Sequence, residues 1–410
     1  MKNAVKYSCA ASEGYTDMQA VKQKFEQEQS YYGDNWLIIL TLLLLCFGLI
    51  MMTSASVEIG ASLYDDPFYH FKKQLIFIFL GLVGAGIILS IPLYWWEKGG
   101  YALYFIALLM LTLVLIPGVG YTAGGGTRWI NLGFMTLQVS EPAKICLVFF
   151  MATLLSQQHE FICGSLKGFV MPFLLLMPAV VLLLSEPDFG AVVVIMFAVM
   201  AMLFLAGARF WHFLLAALLV CGAGAALIFT SGYRMRRVAS YLQALKDPFH
   251  EDIVFDSGYQ LAQALIGFGR GEWFGMGLGN SIQKMYFLPD GHTDFIIAIV
   301  AEELGVIGVL ALLGLFAAFI IRALLIARKN ERNRNYFAAY AAYGLAFIFI
   351  AQVVINVSVN IGLLPNKGLT LPFVSSGGSS LLTCIAMVAL LIRIDIENWS
   401  GGQRKSTEMV

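Results

Sequence analysis

Long apolar runs separated by short polar breaks dominate this chain. Ten are long enough to be helices: 36–55, 72–91, 100–117, 140–156, 168–185, 187–206, 210–230, 294–327, 336–357 and 378–395. A helix that crosses a bilayer needs roughly 20 apolar residues, so the pattern predicts an all-α polytopic membrane protein with about ten transmembrane helices. The fifth and sixth runs are parted only by Ser185-Glu-Pro-Asp188, which fits an external turn or a kink between two half-helices. The longest break, 231–293, predicts one large extramembrane loop. Within it Tyr259 to Phe268 has helical apolar spacing, and a series of glycine turns follows at Gly269, Gly271, Gly275, Gly277 and Gly279. A loop this long is functional or disordered; its many apolar and aromatic residues predict an ordered, partly membrane-associated segment.

Basic residues in short loops set the orientation. Arg322 lies near the end of the eighth run, Arg328, Lys329, Arg332 and Arg334 lie between the eighth and ninth runs, and Arg393, Arg404 and Lys405 lie near the C-terminus. That face is expected to be cytoplasmic and to carry both termini. The domain reading is a polar tail over 1–35, a membrane domain over 36–395 and a second tail over 396–410. The N-terminal 35 residues are polar and mixed in charge, unlike a cleavable signal peptide.

Composition sharpens the class. Of the 410 residues 59% are hydrophobic and 13% charged, against about 25% charged in soluble domains. The formal net charge is zero, which does not favour nucleic acid as a partner. Six cysteines without a Cys-x-x-Cys pair, and five scattered histidines, do not suggest a disulfide framework or a structural zinc site.

Candidate chemistry lies where loops meet helices on the outer face. Leu288-Pro-Asp-Gly-His-Thr-Asp294-Phe295 places two carboxylates and His292 at the mouth of the eighth run. A carboxylate there suits a general base acting on a lipid-linked substrate. The plainer reading makes Thr293 or Asp294 the cap of the following helix. Glu302 and Glu303 lie roughly 12 Å further along that helix, and at least one is expected to face the protein interior. Gly124-Gly-Gly-Thr-Arg-Trp-Ile-Asn131 delivers Arg128 and Trp129 to the surface on a glycine turn. Arg128 suits phosphate oxygens; Trp129 suits a sugar face or an interfacial belt. Glu141 and Lys144 share a helix face, either neutralising one another or lining a polar cavity. Glu186 and Asp188 flank Pro187 as oxygen ligands for a metal or as a solvated turn. Arg234, Arg236 and Arg237 break the positive-inside tendency, which fits anionic headgroups or acids of their own loop. From Asn360 to Ser380, two prolines and four glycines forbid a regular helix. Such backbone is tolerated at membrane depth only inside protein or along a wet cavity. Lys367 is its one cation.

Gly368-Leu-Thr-Leu-Pro-Phe with Ser376-Gly-Gly-Ser-Ser380, Leu288-Pro-x-x-His-Thr-Asp-Phe295 and Glu302-Glu-Leu-Gly305 resemble the SEDS family (shape, elongation, division and sporulation) of bacteria. Lys367 before the Gly-Leu-Thr-Leu-Pro run resembles the division branch more than the elongation branch. The resemblance covers Trp36 to Asp395. It implies a ten-helix inner-membrane enzyme that polymerises lipid II into glycan at the division septum, by inverting glycosyl transfer with undecaprenyl pyrophosphate leaving. It also implies Asp294 as the catalytic residue. The expected substrate- and pyrophosphate-binding set is Arg128, Trp129, Glu141, Lys144, Arg234, His292, Lys367 and Ser379. A divalent cation, Mg²⁺ or Mn²⁺, is implied near the pyrophosphate, with no ligands assigned. The implied partners are a class B penicillin-binding protein and other division proteins. A lipid II flippase and a noncatalytic division scaffold are the alternative readings. Two positions depart from the family pattern. Gln138-Val-Ser-Glu-Pro-Ala-Lys144 carries its proline after the glutamate rather than before it. Tyr286 stands where division members often carry an acid.

Overall fold

The computed structural model describes residues 34–123, 126–131, 133, 135–215, 218, 258–365 and 368–407, with side chains to 398. In chain order the helices before the first strand are α1 (Asn35–Tyr64), α2 (Tyr69–Ser90), α3 (Leu93–Lys98) and α4 (Gly100–Val114). A sheet of β1 (Gly120–Ala123), β2 (Gly126–Asn131) and β3 (Thr136–Gln138) follows. Then come α5 (Ser140–Gln157), α6 (His159–Gly164), α7 (Leu166–Ser185), α8 (Phe189–Leu205), α9 (Tyr259–Gly271), α10 (Ile296–Arg332), α11 (Tyr336–Asn360) and α12 (Gly378–Thr407). Among the described residues six helices are long and apolar enough to cross a membrane, and α4 and α8 are shorter apolar helices. Nine of the ten apolar runs therefore fall on described helices. The seventh, 210–230, lies mostly outside the described residues.

Local chemistry sets several helix starts. The Asp34 carboxylate accepts from the Leu37 N–H, Ser165 Oγ from Gly168 N–H and Asp188 Oδ1 from Ala191 N–H. Each satisfies one of the unpaired donors of a first turn. The break at Ser185-Glu-Pro-Asp188 is a turn between two helices of 20 and 17 residues, each near spanning length by itself. Pro142 sits in the first turn of α5, where a missing N–H costs nothing. The shifted proline thus leaves Glu141 and Lys144 on the helix.

The core centres on α5 and α11, which are buried along most of their length. Helix α11 packs against α5, α8, α10 and α12. At the periphery, α2 packs on α12 and α1 and presents Ile76, Phe79 and Val83 outward. Outward apolar side chains on a long apolar helix match a lipid-facing surface.

Two features depart from the all-helical pattern of the sequence. The region read as a flexible glycine turn is a three-stranded antiparallel sheet, with Trp129 opposite Tyr121 on one side and Gln138 on the other. Its strands have only three to six residues, too short for a periodic signal. Helix α10 is broken at Gly305, whose φ of 69° and ψ of −173° leave the helical region. The segment after α9 closes that break. Met276 and Gly277 N–H donate to the Glu302 and Glu303 carbonyls at 2.9 and 3.0 Å, and Val306 and Ile307 N–H donate to the Glu272 and Trp273 carbonyls at 2.9 and 3.2 Å. The groups freed by the break are paired across it, as buried backbone requires.

The same segment is bolted down by charge. Glu302 and Glu303 are both fully buried. Glu302 pairs with Arg270 at 3.1 Å and accepts from Ser281 Oγ and from the Ile282 and Gln283 N–H groups. Glu303 pairs with Lys284 at 2.9 Å and accepts from Ser54 of α1 at 2.7 Å. The described part of the long loop is thus ordered, and α9 matches the helix expected there. Helix α12 continues the last apolar run to Thr407, into the region read as a tail.

Candidate active site

The Leu288–Phe295 stretch forms a compact turn before α10. Thr293 and Phe295 N–H groups both donate to the Asp290 carbonyl, and Asp290 takes a positive φ of 56°. Of the two expected helix caps, neither is the cap residue. That position is Phe295, without a side-chain capping bond, and Asn360 Oδ1 from α11 accepts from the Ala298 N–H at 3.1 Å.

Three consecutive carbonyls pin the turn. His292 O accepts from Ser376 N–H at 2.9 Å, Thr293 O from Ser375 Oγ at 2.5 Å, and Asp294 O from Asn356 Nδ2 and Asn360 Nδ2 at 3.1 and 2.9 Å. The Asp294 carboxylate is half-buried and faces Gly368: a Cβ built there would lie 3.8 Å from Oδ2. The described residues 361–365 and 368–377 are irregular, as the prolines and glycines predict, and the second group packs against this turn through Gly368, Ser375 and Ser376. His292 lies against His70, with ring centroids 5.7 Å apart, and its Nδ1 is buried without a hydrogen-bond partner. Burial, then the His70 charge, lowers the His292 pKa, and Asp290 opposes this in part.

A second group gathers around the sheet. Arg128, on β2, donates through Nε to the Glu186 carbonyl at 3.0 Å and through Nη2 to the Pro187 carbonyl at 2.6 Å. Two of the five guanidinium donors thus hold the α7–α8 turn. Asp188 accepts from Ser140 Oγ at 2.7 Å and Gln138 Nε2 at 3.3 Å. Ser379, in the first turn of α12, accepts from Gln138 N–H and donates to the Thr136 carbonyl, fastening β3. Lys144 and Glu141 form a buried pair at 2.9 Å, so the geometry shows them neutralising one another; Glu141 Oε2 has no hydrogen-bond partner. Between the β1–β2 hairpin and the turn opens a cavity of about 400 Å³, lined by Ile116, Thr122, Thr127, Ser185 and Pro187.

Hydrogen bonds join the two groups. Ser379 is next to Ser380, which accepts from Thr370 Oγ1, and Ser375 Oγ accepts from the neighbouring Leu371 N–H while donating to Thr293 O. Arg128, Ser379, His292 and Asp294 are thus joined through the sheet and the segment 368–380, whereas Glu141 and Lys144 are buried in α5 as a pair. Arg234 and Lys367 lie outside the described residues. Sequence reading passed over Asn356 and Asn360; their signal was two amides one turn apart on an apolar span.

The model of the cell cycle protein family FtsW/RodA/SpoVE matches residues 35–399. The chain belongs to that family. The SEDS motifs thus led to the right family, and this FtsW/RodA/SpoVE member is a multi-pass membrane protein. Its relatives include the probable peptidoglycan glycosyltransferase FtsW of Hahella chejuensis, 46% identical over 88% of this chain and 90% of that one. The protein of the same description from Nitrosococcus halophilus is 47% identical over 89% of this chain and 92% of that one. Among solved structures, a chain of a peptidoglycan synthase complex that coordinates polymerization and crosslinking aligns with a TM-score of 0.73 and 26% identity, over 90% of this chain and 98% of that one. The rod shape determining protein RodA of Thermus thermophilus aligns with a TM-score of 0.65 and 27% identity over the same shares.

Proposed function

We infer that this family member is a peptidoglycan glycosyltransferase that polymerises lipid II, with Asp294 as general base. Relatives of that description, similar over about nine-tenths of the chain, support the activity. The observation that carries the base assignment is the placement of Asp294. Its carboxylate stands half-buried at the mouth of α10 beside Gly368, on a turn whose carbonyls are individually held.

In the proposed step the Asp294 carboxylate takes the proton of the acceptor sugar's 4-hydroxyl. That oxygen bonds to the donor's anomeric carbon from the face opposite the leaving group, and the bond to undecaprenyl pyrophosphate breaks. Asp294 thus supplies a base where a proton leaves, and Arg128, Lys367 and Arg234 supply positive charge where negative charge develops. Lys144 is buried and already paired with Glu141, so its expected role at the pyrophosphate is indirect, through that pair. Trp129, His292 and Ser379 shape the surface that meets the sugars and phosphates. Among the described residues no three His, Cys, Asp or Glu side chains converge to hold a metal ion. A divalent cation, Mg²⁺ or Mn²⁺, would offset pyrophosphate charge and would need only one or two carboxylates beside the phosphate oxygens, and no step depends on it.

The proposed setting is the division septum, with both termini cytoplasmic. The proposed partners are a class B penicillin-binding protein that cross-links the strands and other division proteins. The description of the similar synthase complex, in which polymerization and crosslinking are coordinated, supports that pairing.

The test is polymerisation by the purified protein with its cross-linking partner, lipid II and Mn²⁺ in detergent, wild type beside Asp294→Asn. Long strands from wild type alone are expected. Equal activity in the variant removes Asp294 as base. Failure of both, with a known polymerase active in the same tube, removes the polymerase reading and favours lipid flipping.

A further inference from the structure

We infer that Asn356 is a positioning residue that sets the gap between the Asp294 carboxylate and the segment carrying Gly368. The inference rests on the glycosyltransferase reading above. The Asp294 carbonyl lies partly buried at the entrance of α10, where the Ala298 N–H is directed to the Phe295 carbonyl at 3.0 Å and to Asn360 Oδ1. A carbonyl partly withdrawn from water by packing takes its partner from donors the fold brings near. Two side-chain amides from α11 supply it.

The two amides do different work. Asn360 Nδ2 donates to Asp294 O at 2.9 Å and to its own helix at the Asn356 carbonyl, while Oδ1 caps α10. It joins α11 to α10. Asn356 Nδ2 has two hydrogens, one directed to Asp294 O at 3.1 Å and the other to Leu369 O at 2.7 Å. It alone of the pair reaches across to the glycine-proline segment, next to the Gly368 that faces the Asp294 carboxylate. Asn356 is itself fully buried and on a regular helix, so the bridge is rigid. A base must stand within hydrogen-bond reach of the proton it removes, and a fixed separation between it and the facing wall defines where that hydroxyl sits.

The experiment measures kcat and KM for lipid II polymerisation across pH for Asn356→Ala, Asn360→Ala and Asn330→Ala, per folded molecule, with Asp294→Asn alongside. Asn330 is an equally buried amide near the far end of α10, bonded to the Ile326 carbonyl, and controls for loss of a buried amide. Asn356→Ala is expected to lose kcat on the order of 100-fold, the scale of an ångström misplacement, with a smaller change in KM. The acid limb of its kcat profile shifts. Asn360→Ala, which keeps the bridge to Leu369, loses less, and Asn330→Ala keeps the wild-type profile. Where Asn356→Ala does not fold, Asn356→Ser retains a shorter donor, and the same shift is expected in smaller measure. A wild-type kcat and acid limb in the Asn356 variant that folds overturns the inference, as does an equal loss in Asn330→Ala. An active Asp294→Asn defeats the base assignment itself; an inactive one beside an unaffected Asn356 variant defeats only the positioning role.

Discussion

Glu186 shows how one residue's surroundings set its charge. It sits in the α7–α8 turn with both carboxylate oxygens buried and without a hydrogen-bond donor. Burial, then the neighbouring Asp188 charge, pushes its carboxyl from the ordinary 4.5 up to about 8, against the opposing pull of Arg128. The folded state therefore holds a proton that the unfolded chain releases. Below 4.5 both states are protonated and Glu186 adds no penalty; from there to about 8 stability falls as pH rises, and above about 8 the full cost is present. The slope is at most about 1.4 kcal/mol per pH unit. Glu186→Gln removes the titration. Thermal unfolding in detergent is expected to show this variant more stable than wild type at pH 8 and flatter across that window; parallel curves would contradict it.

At the scale of elements, α10 is the instructive case. Its apolar run reads as one helix, yet Gly305 breaks it and the backbone after α9 completes the pairing. A Cβ at Gly305 would lie 2.4 Å from the Trp273 carbonyl oxygen and 2.5 Å from the Gly275 nitrogen. Its backbone angles are also closed to other residues. Gly305→Ala is expected to destabilise by about 3 kcal/mol or more in denaturant unfolding. Gly314, on the same helix, has no atom within 4 Å of a built Cβ, so Gly314→Ala is expected to be neutral or stabilising by about 0.5–1 kcal/mol. Equal effects at the two positions would contradict the break. The asparagine pair on α11 belongs to this scale too, since it joins α10 to α11 through backbone carbonyls rather than apolar contact.

Across the whole molecule, buried charge joins segments far apart in the chain. Ser54 and Glu303 are 249 positions apart and bonded at 2.7 Å, and Lys284 meets both. The described part of the long loop is thereby fastened to α1 and α10 together. Removing one partner leaves a buried ion uncompensated, because Lys284 is 6% exposed. Glu303→Ala is expected to cost about 3–5 kcal/mol. Limited proteolysis should then cut within 270–287, a stretch expected to resist in wild type; an unchanged cleavage pattern would show that the clasp does not hold the loop.

Local order was legible in the sequence. Apolar runs marked nine described helices, amphipathic spacing marked α9, and prolines and glycines marked the irregular described residues 361–365 and 368–377, because each depends on residues close in the chain. The motif residues also sufficed to place the chain in its family. Tertiary structure decided how these pieces serve the site. It made Arg128 the holder of a turn, turned Glu141 and Lys144 toward each other, buried both Glu302 and Glu303 with separate cations, and gave the Asp294 carbonyl to Asn356 and Asn360. Hydropathy and periodicity report how one segment meets its solvent. Which donor meets which acceptor is fixed only when distant segments pack, since a buried polar group takes its partner from whatever the fold brings within reach.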